Sequence, residues 1–248
     1  MSTTTTETPP ALLLVRYWLL LALSFSSGIY DAISFLSFGK VFMAFQTGNI
    51  VELGLGAAGT RPPAGPNPVT VLIALVAFVA GAALAVPILK AHDVWQVWPR
   101  RVSVTLGVAL VLEVGFLAGW LTTSSPDHLA YILVALGGFA MGLQINAVRT
   151  LHVPSMSTTA FTATVAAFAT DIGSWSLNNP AVRRLVGALV SLFAGACLGD
   201  VMLRHAHPYA PVVPAVVTAG VILVASVVLK PTAQPRLGMA ARATVRSE

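Results

Sequence analysis

Residues 69–89 read VTVLIALVAFVAGAALAVPIL, with no charged side chain and Thr70 as the sole hydroxyl. A helix needs about 20 apolar residues to cross the hydrocarbon core of a bilayer. Five further stretches meet that demand: 17–38, 102–121, 129–148, 185–203 and 211–229. Three of the six carry one charge each, Asp31, Glu113 and Asp200. The prediction is an all-α membrane protein with six transmembrane helices. Composition agrees. Of 248 residues, 56% are apolar and 9% charged, and the mean hydropathy is +0.82. Soluble domains carry about 25% charged residues. So few charges exclude a soluble enzyme, a disordered chain and a soluble nucleic-acid binder. The net charge of +5 therefore reads as loop charge beside a membrane, and no nucleic-acid partner is expected. The single cysteine, Cys197, excludes a disulfide framework.

Two other stretches, 41–59 and 155–172, are apolar but interrupted by amides, hydroxyls and glycines. Lys and Arg gather in cytoplasmic loops, and their distribution weighs full crossings against re-entrant segments. If both stretches return to the side they left, Arg16, Lys90, Arg100, Arg101, Arg149, Arg183, Arg184, Lys230, Arg236, Arg242 and Arg246 lie inside. Lys40, Arg61 and Arg204 then lie outside. Full crossings would even out this asymmetry. The expected layout is therefore six spans plus two re-entrant half-helix segments, with both termini cytoplasmic. Residues 1–16 read as a disordered cytoplasmic tail, 17–121 and 129–230 as two transmembrane units, and 231–248 as a basic cytoplasmic tail.

The two units repeat one another. Ala74-Leu75-Val76, Ala80-Gly81-Ala82 and Leu84 recur as Ala188-Leu189-Val190, Ala194-Gly195-Ala196 and Leu198, at an offset of 114. Upstream, at an offset of 115, Asp31-Ala32 answers Asn146-Ala147 and Thr47 answers Thr162. Three crossings per unit is an odd number, so the units should be oppositely oriented. Such an inverted 3+3 repeat is common in secondary transporters.

Polar groups at membrane depth mark the candidate site. Asp31 is costly there and needs a cavity, a proton or a partner. It reads either as a coupling or substrate group, or as an acceptor for backbone where the helix breaks at Gly39. Gln46, Thr47, Gly48 and Asn49 open a short helix. They read as ligand contacts or as caps. Glu52 is three residues past Asn49, on the same face, as a second carboxylate or a partner of Lys40 or Arg61. Glu113 stands mid-span with no charge at helical spacing. In the second unit, Gln144, Asn146, Thr158, Thr159 and Thr162 answer the first cluster. Arg149 pairs with Asp171 or marks the cytoplasmic edge. Asp200 and Arg204 suit a local pair. Asn67-Pro68 and Asn179-Pro180 resemble water-channel motifs but open full-length spans, where such pairs are routine helix starts. His205 and His207 lack a third metal ligand. No nucleophile–base or metal constellation is evident, so neither enzymatic activity nor a cofactor is expected.

The run Gly28-Ile-Tyr-Asp31-Ala-Ile-Ser-Phe35, with Val41-Phe42 and Thr47-Gly48-Asn49, resembles the YoaK family of bacterial membrane proteins. So does Gly142-Leu-Gln144-Ile-Asn146-Ala147-x-Arg149 with Thr158-Thr159-x-x-Thr162. The likeness spans about residues 15–230. Two departures stand out: Ile145 interrupts the usual Gln-Asn-Ala, and Ala163 replaces a frequent glycine. The resemblance implies a multi-pass membrane protein that moves small molecules. The expected function is transport of a small polar solute, coupled to protons through Asp31, Glu52 or Glu113. Its partners are that molecule or ion and the bilayer, and a homo-oligomer is left open. The rival readings are a passive channel and a scaffold without transport.

Overall fold

The computed structural model describes residues 9–60, 65, 67–90, 96–122, 127–153 and 180–229. The described residues form seven α-helices and no strand: α1 (Pro10–Ser37), α2 (Gln46–Ala57), α3 (Pro68–Leu89), α4 (Arg100–Thr122), α5 (Asp127–Arg149), α6 (Pro180–His205) and α7 (Val212–Val228). All but α2 lie in segments long and apolar enough to cross a membrane. Residues 10–16, expected to belong to the tail, are already helical. Pro10 occupies the first helical position, where its missing N–H goes unused, and Leu12, Leu13 and Leu14 are good helix formers. Asn67 caps α3 by accepting the Val69 N–H (3.0 Å), as its sequence context suggested.

Two parallel helix pairs form the frame. α1 packs along α6 and α3 along α5. Tyr17 Oη donates to the Arg183 carbonyl (3.2 Å). Further along, Phe25 lies on Gly195, and Ile29 and Ala32 lie on Gly199, so α1 and α6 run the same way. In the second pair Gly138 lies on Ala74, and Gly142 on Phe78 and Ala82. A Cβ on Gly28 would strike the Leu192 carbonyl, and one on Gly142 would strike the Phe78 carbonyl. Likewise Gly195 meets the Phe25 carbonyl and Gly81 the Phe139 carbonyl. Within lipid, where apolar burial drives little association, such small-residue strips let backbones touch. In these four contacts each residue differs from its counterpart by 114 positions. Counted from Gly28 and Gly142, the counterpart of Asp31 along the helix is therefore Ile145. Asn146 stands about 100° further round.

The two pairs run opposite ways, and α4 runs antiparallel to α5 and to α7. Gly115 and Gly119 of α4 face Leu136 and Leu133 of α5. Trp120 Nε1 donates to the His207 carbonyl beside the start of α7 (3.0 Å), while Thr218 meets Glu113 deeper in the bundle. One face of the bundle thus gathers the start of α1, the end of α3 and the start of α4. It is tied by Arg16 Nη1 to the Val97 carbonyl (3.5 Å) and Arg101 Nη1 to the Ile88 carbonyl (2.9 Å). By the helix directions, α5 and α7 end at this face and α6 begins there. Arg16, Lys90, Arg100, Arg101, Arg149, Arg183 and Arg184 lie toward it. Of the described cations, Lys40 and Arg204 lie toward the other.

α1 ends sharply. Gly39 takes φ +80, and Lys40 N–H donates to the Phe35 carbonyl (3.0 Å), a six-to-one bond that closes the helix and reverses the chain. Residues 41–45 then lead into α2. With 12 residues, α2 is about 18 Å long, short of the about 30 Å core. Gly56 lies on Pro68, the first residue of α3, whereas residues 44–47 share a cavity with Phe78 and Ala82, halfway down α3.

Candidate functional site

The bend between α1 and α2 is built by three polar side chains. Asp31 Oδ1 accepts the N–H groups of Met43 (2.9 Å) and Ala44 (2.7 Å). Asn49, 0% exposed, accepts the Phe42 N–H (2.9 Å) and donates to the Phe42 carbonyl (2.6 Å) and to Gln46 Oε1 (2.8 Å). Gln46 Nε2 donates to the Met43 carbonyl (2.8 Å). Buried backbone groups without a regular helix partner must find one inside the protein, and these side chains supply it. Gly48 leaves room for the Phe42 and Phe45 rings, which a Cβ would strike. Those rings meet edge to face, centroids 5.4 Å apart, and Phe42 also packs on Phe35 at 5.0 Å.

The bend borders a cavity of about 210 Å³. Its walls are Ala44, Phe45, Gln46 and Thr47 from the bend, Phe78 and Ala82 from α3, and Ile145, Asn146 and Arg149 from α5. Thr47 and Arg149 are exposed. Asn146 Nδ2 donates to the Ala82 carbonyl (2.6 Å), which leaves its oxygen for another donor. The structure thus brings Gln46, Thr47, Asn146 and Arg149 together. Asp31 and Asn49 stand behind the wall as supports. Glu52 is half-buried on α2 and does not line the cavity.

Gln144 lies elsewhere. It is 1% exposed, and its Nε2 donates to the Leu23 carbonyl (3.2 Å) and Ser27 Oγ (3.0 Å) of α1, joining α5 to α1 at the core. Glu113 is also apart from the cavity. It is 0% exposed and accepts from Thr218 Oγ1 at Oε1 (3.1 Å). Its Oε2 has no hydrogen-bond partner among the described residues, nor does the Tyr30 hydroxyl. Tyr30 meets Phe116 edge to face at 5.5 Å, and Phe116 shares a face of α4 with Glu113. Asp200 and Arg204 form the expected local pair, Nε to Oδ1 at 3.0 Å. His207 stacks on Trp120, centroids 4.8 Å apart. Thr158, Thr159, Thr162 and Asp171 lie outside the described residues.

Thr218 and Ser27 escaped sequence reasoning, and Ile145 stood out only as a departure from the family pattern. Thr218 and Ser27 are single hydroxyls in apolar runs, more than 100 positions from the groups they serve, and Ile145 looks like any core residue. Its place between Gln144 and Asn146 was that one signal.

Six apolar helices with polar groups buried between them define a multi-pass α-helical membrane protein. The chain belongs to the DUF1275 family, a protein family of unknown function, whose profile matches residues 19–224. It is similar to the UPF0700 transmembrane protein YoaK of Bacillus subtilis (strain 168), with 35% identity over 158 residues, 63% of this chain and 67% of that protein. No solved structure matches.

Proposed function

We propose that the chain is a transporter of a small polar solute, and that the cavity beside the bend is where the solute rests. The observation that carries this reading is the cavity's place and chemistry. A broken backbone, two amides, a hydroxyl and a guanidinium converge halfway along α3, where irregular backbone persists only if buried or lining water. The reading takes α2 as a re-entrant half-helix and the two units as inverted repeats. Support comes from the exchanged glycine contacts at offset 114 and from α1 running parallel to α6 and α3 to α5. The cation-rich face is the cytoplasmic one under the positive-inside rule. Transport sites formed by discontinuous helices at a repeat interface follow this plan.

In this account Asp31, Gln46 and Asn49 shape the bend, while Thr47, Asn146 and Arg149 meet the solute. Glu113 is the coupling group. It is enclosed, bound by one hydroxyl and faced by no cation among the described residues. It also sits where α1, α4 and α7 meet, so a proton gained or lost there alters the packing of three helices. Purified protein in liposomes should accumulate a subset of small polar solutes when an inward proton gradient is imposed. Glu113→Gln should retain solute exchange and lose gradient-driven accumulation, by about tenfold or more. Unchanged accumulation would remove Glu113 from the coupling role. Absence of flux for every solute tested would favour the scaffold reading, which the self-satisfied hydrogen bonds of Asn49 and Gln46 also fit.

A further inference from the structure

We propose that the solute, or the part of it that enters the cavity, carries a negative charge, as a carboxylate or phosphate group does; this rests on the transport reading above. Among the described residues the cavity wall holds one full charge, the Arg149 guanidinium, and no carboxylate. The two carboxylates nearest in the chain do not line it. Asp31 stands behind the wall with Oδ1 taken up by the Met43 and Ala44 amides, and Glu52 lies further along α2. The other polar groups are neutral. Gln46 has both ends of its amide committed to Met43 and Asn49, so it stiffens the wall. Thr47 offers an exposed hydroxyl. α2 begins at Gln46 on the same wall, and its first turn holds no acidic residue and no side-chain cap. The Gln46 and Gly48 N–H groups of that turn already donate to the Ala44 and Phe45 carbonyls, so the positive end of α2 adds potential there without offering those two donors. One guanidinium facing neutral donors favours an anion over a cation or a neutral isostere by charge attraction. A planar fork of donors also matches carboxylate and phosphate oxygens.

The test reads the potential of the cavity and needs no knowledge of the natural solute. Thr47→Cys, and separately Phe45→Cys, are placed in a Cys197→Ser background. Each protein is reconstituted in phosphatidylcholine nanodiscs. The thiol is then modified with a sulfonate-bearing or a trimethylammonium-bearing methanethiosulfonate, each rate being referred to that reagent's rate with 2-mercaptoethanol. The expected result is an about tenfold preference for the anionic reagent, lost in Arg149→Gln and kept in Arg149→Lys. Succinate or inorganic phosphate should slow modification, with apparent affinity about 10- to 100-fold weaker in Arg149→Gln. Succinamide should not slow it. Protection by phosphatidylglycerol but by neither soluble anion would identify a lipid headgroup as the anion. No charge preference, or no modification at either position, would overturn the proposal. Failure of the transport reading looks different: the charge preference persists while no solute moves across liposomes.

Discussion

Gly28→Val and Gly142→Val are expected to abolish stable folding, and to do so to the same degree. The first drives a side chain into the Leu192 carbonyl and the Ala196 backbone, the second into the Phe78 carbonyl and the Ala82 backbone. The obstacle in each case is backbone of a neighbouring helix, which cannot rotate aside as a side chain can. Overpacking usually costs 1–3 kcal/mol when side chains can shift, so here the cost should exceed about 3 kcal/mol, a large part of a typical protein's stability. Gly220 has nothing within 4 Å of an added Cβ, and Gly220→Ala serves as the control. Melting curves and gel filtration in mild detergent give the comparison. Intact protein from either valine variant would mean that the crossings are looser than described. A large effect at one glycine alone would break the correspondence between the two pairs.

The second large effect is expected at Asp31. Removing its carboxylate in Asp31→Ala leaves the N–H groups of Met43 and Ala44 without their acceptor. Each unsatisfied buried donor costs about 1–3 kcal/mol, so the bend should open at a cost of about 2–5 kcal/mol, and transport should be lost with it. Asp31→Asn keeps an oxygen at the same place and should lose about 1 kcal/mol while retaining flux. That contrast separates a support from a coupling acid. If Asp31→Asn folds normally and carries no proton-driven flux, Asp31 shares the coupling role with Glu113. Asn49→Ala belongs to the same series, since Asn49 holds both backbone groups of Phe42.

Much of this architecture is written in the chain's hydropathy. Six runs of about 20 apolar residues leave little choice about the long helices, and the Asn67-Pro68 start of α3 follows from capping chemistry. The break after α1 was visible in Gly39, and the polar bend in Gln46, Thr47 and Asn49. What those residues do was not. Side chains that satisfy backbone and side chains that await a ligand have the same composition, and the distances around Asp31 and Asn49 are what tell them apart. Gln144 illustrates the same limit. Its place close to Asn146 suggested a shared site, yet helical positions two residues apart are separated by about 200° and face different neighbours. One meets Ser27 of α1 and the other meets Ala82 of α3. The offset of 115 drawn from Asp31 and Asn146 aligned chemically similar residues. The backbone contacts run at 114, because touching glycines tolerate no slip.

If two oppositely oriented units enclose the cavity, α2 must enter and leave by the same face of the membrane. Single cysteines at Gly59, Thr122 and Lys90, in a Cys197→Ser background and treated with a membrane-impermeant maleimide, test that central claim most directly. Gly59→Cys and Thr122→Cys should label in intact spheroplasts, and Lys90→Cys only after lysis. Labelling of Gly59→Cys only after lysis would mean that residues 41–59 cross the membrane completely, and would contradict the account.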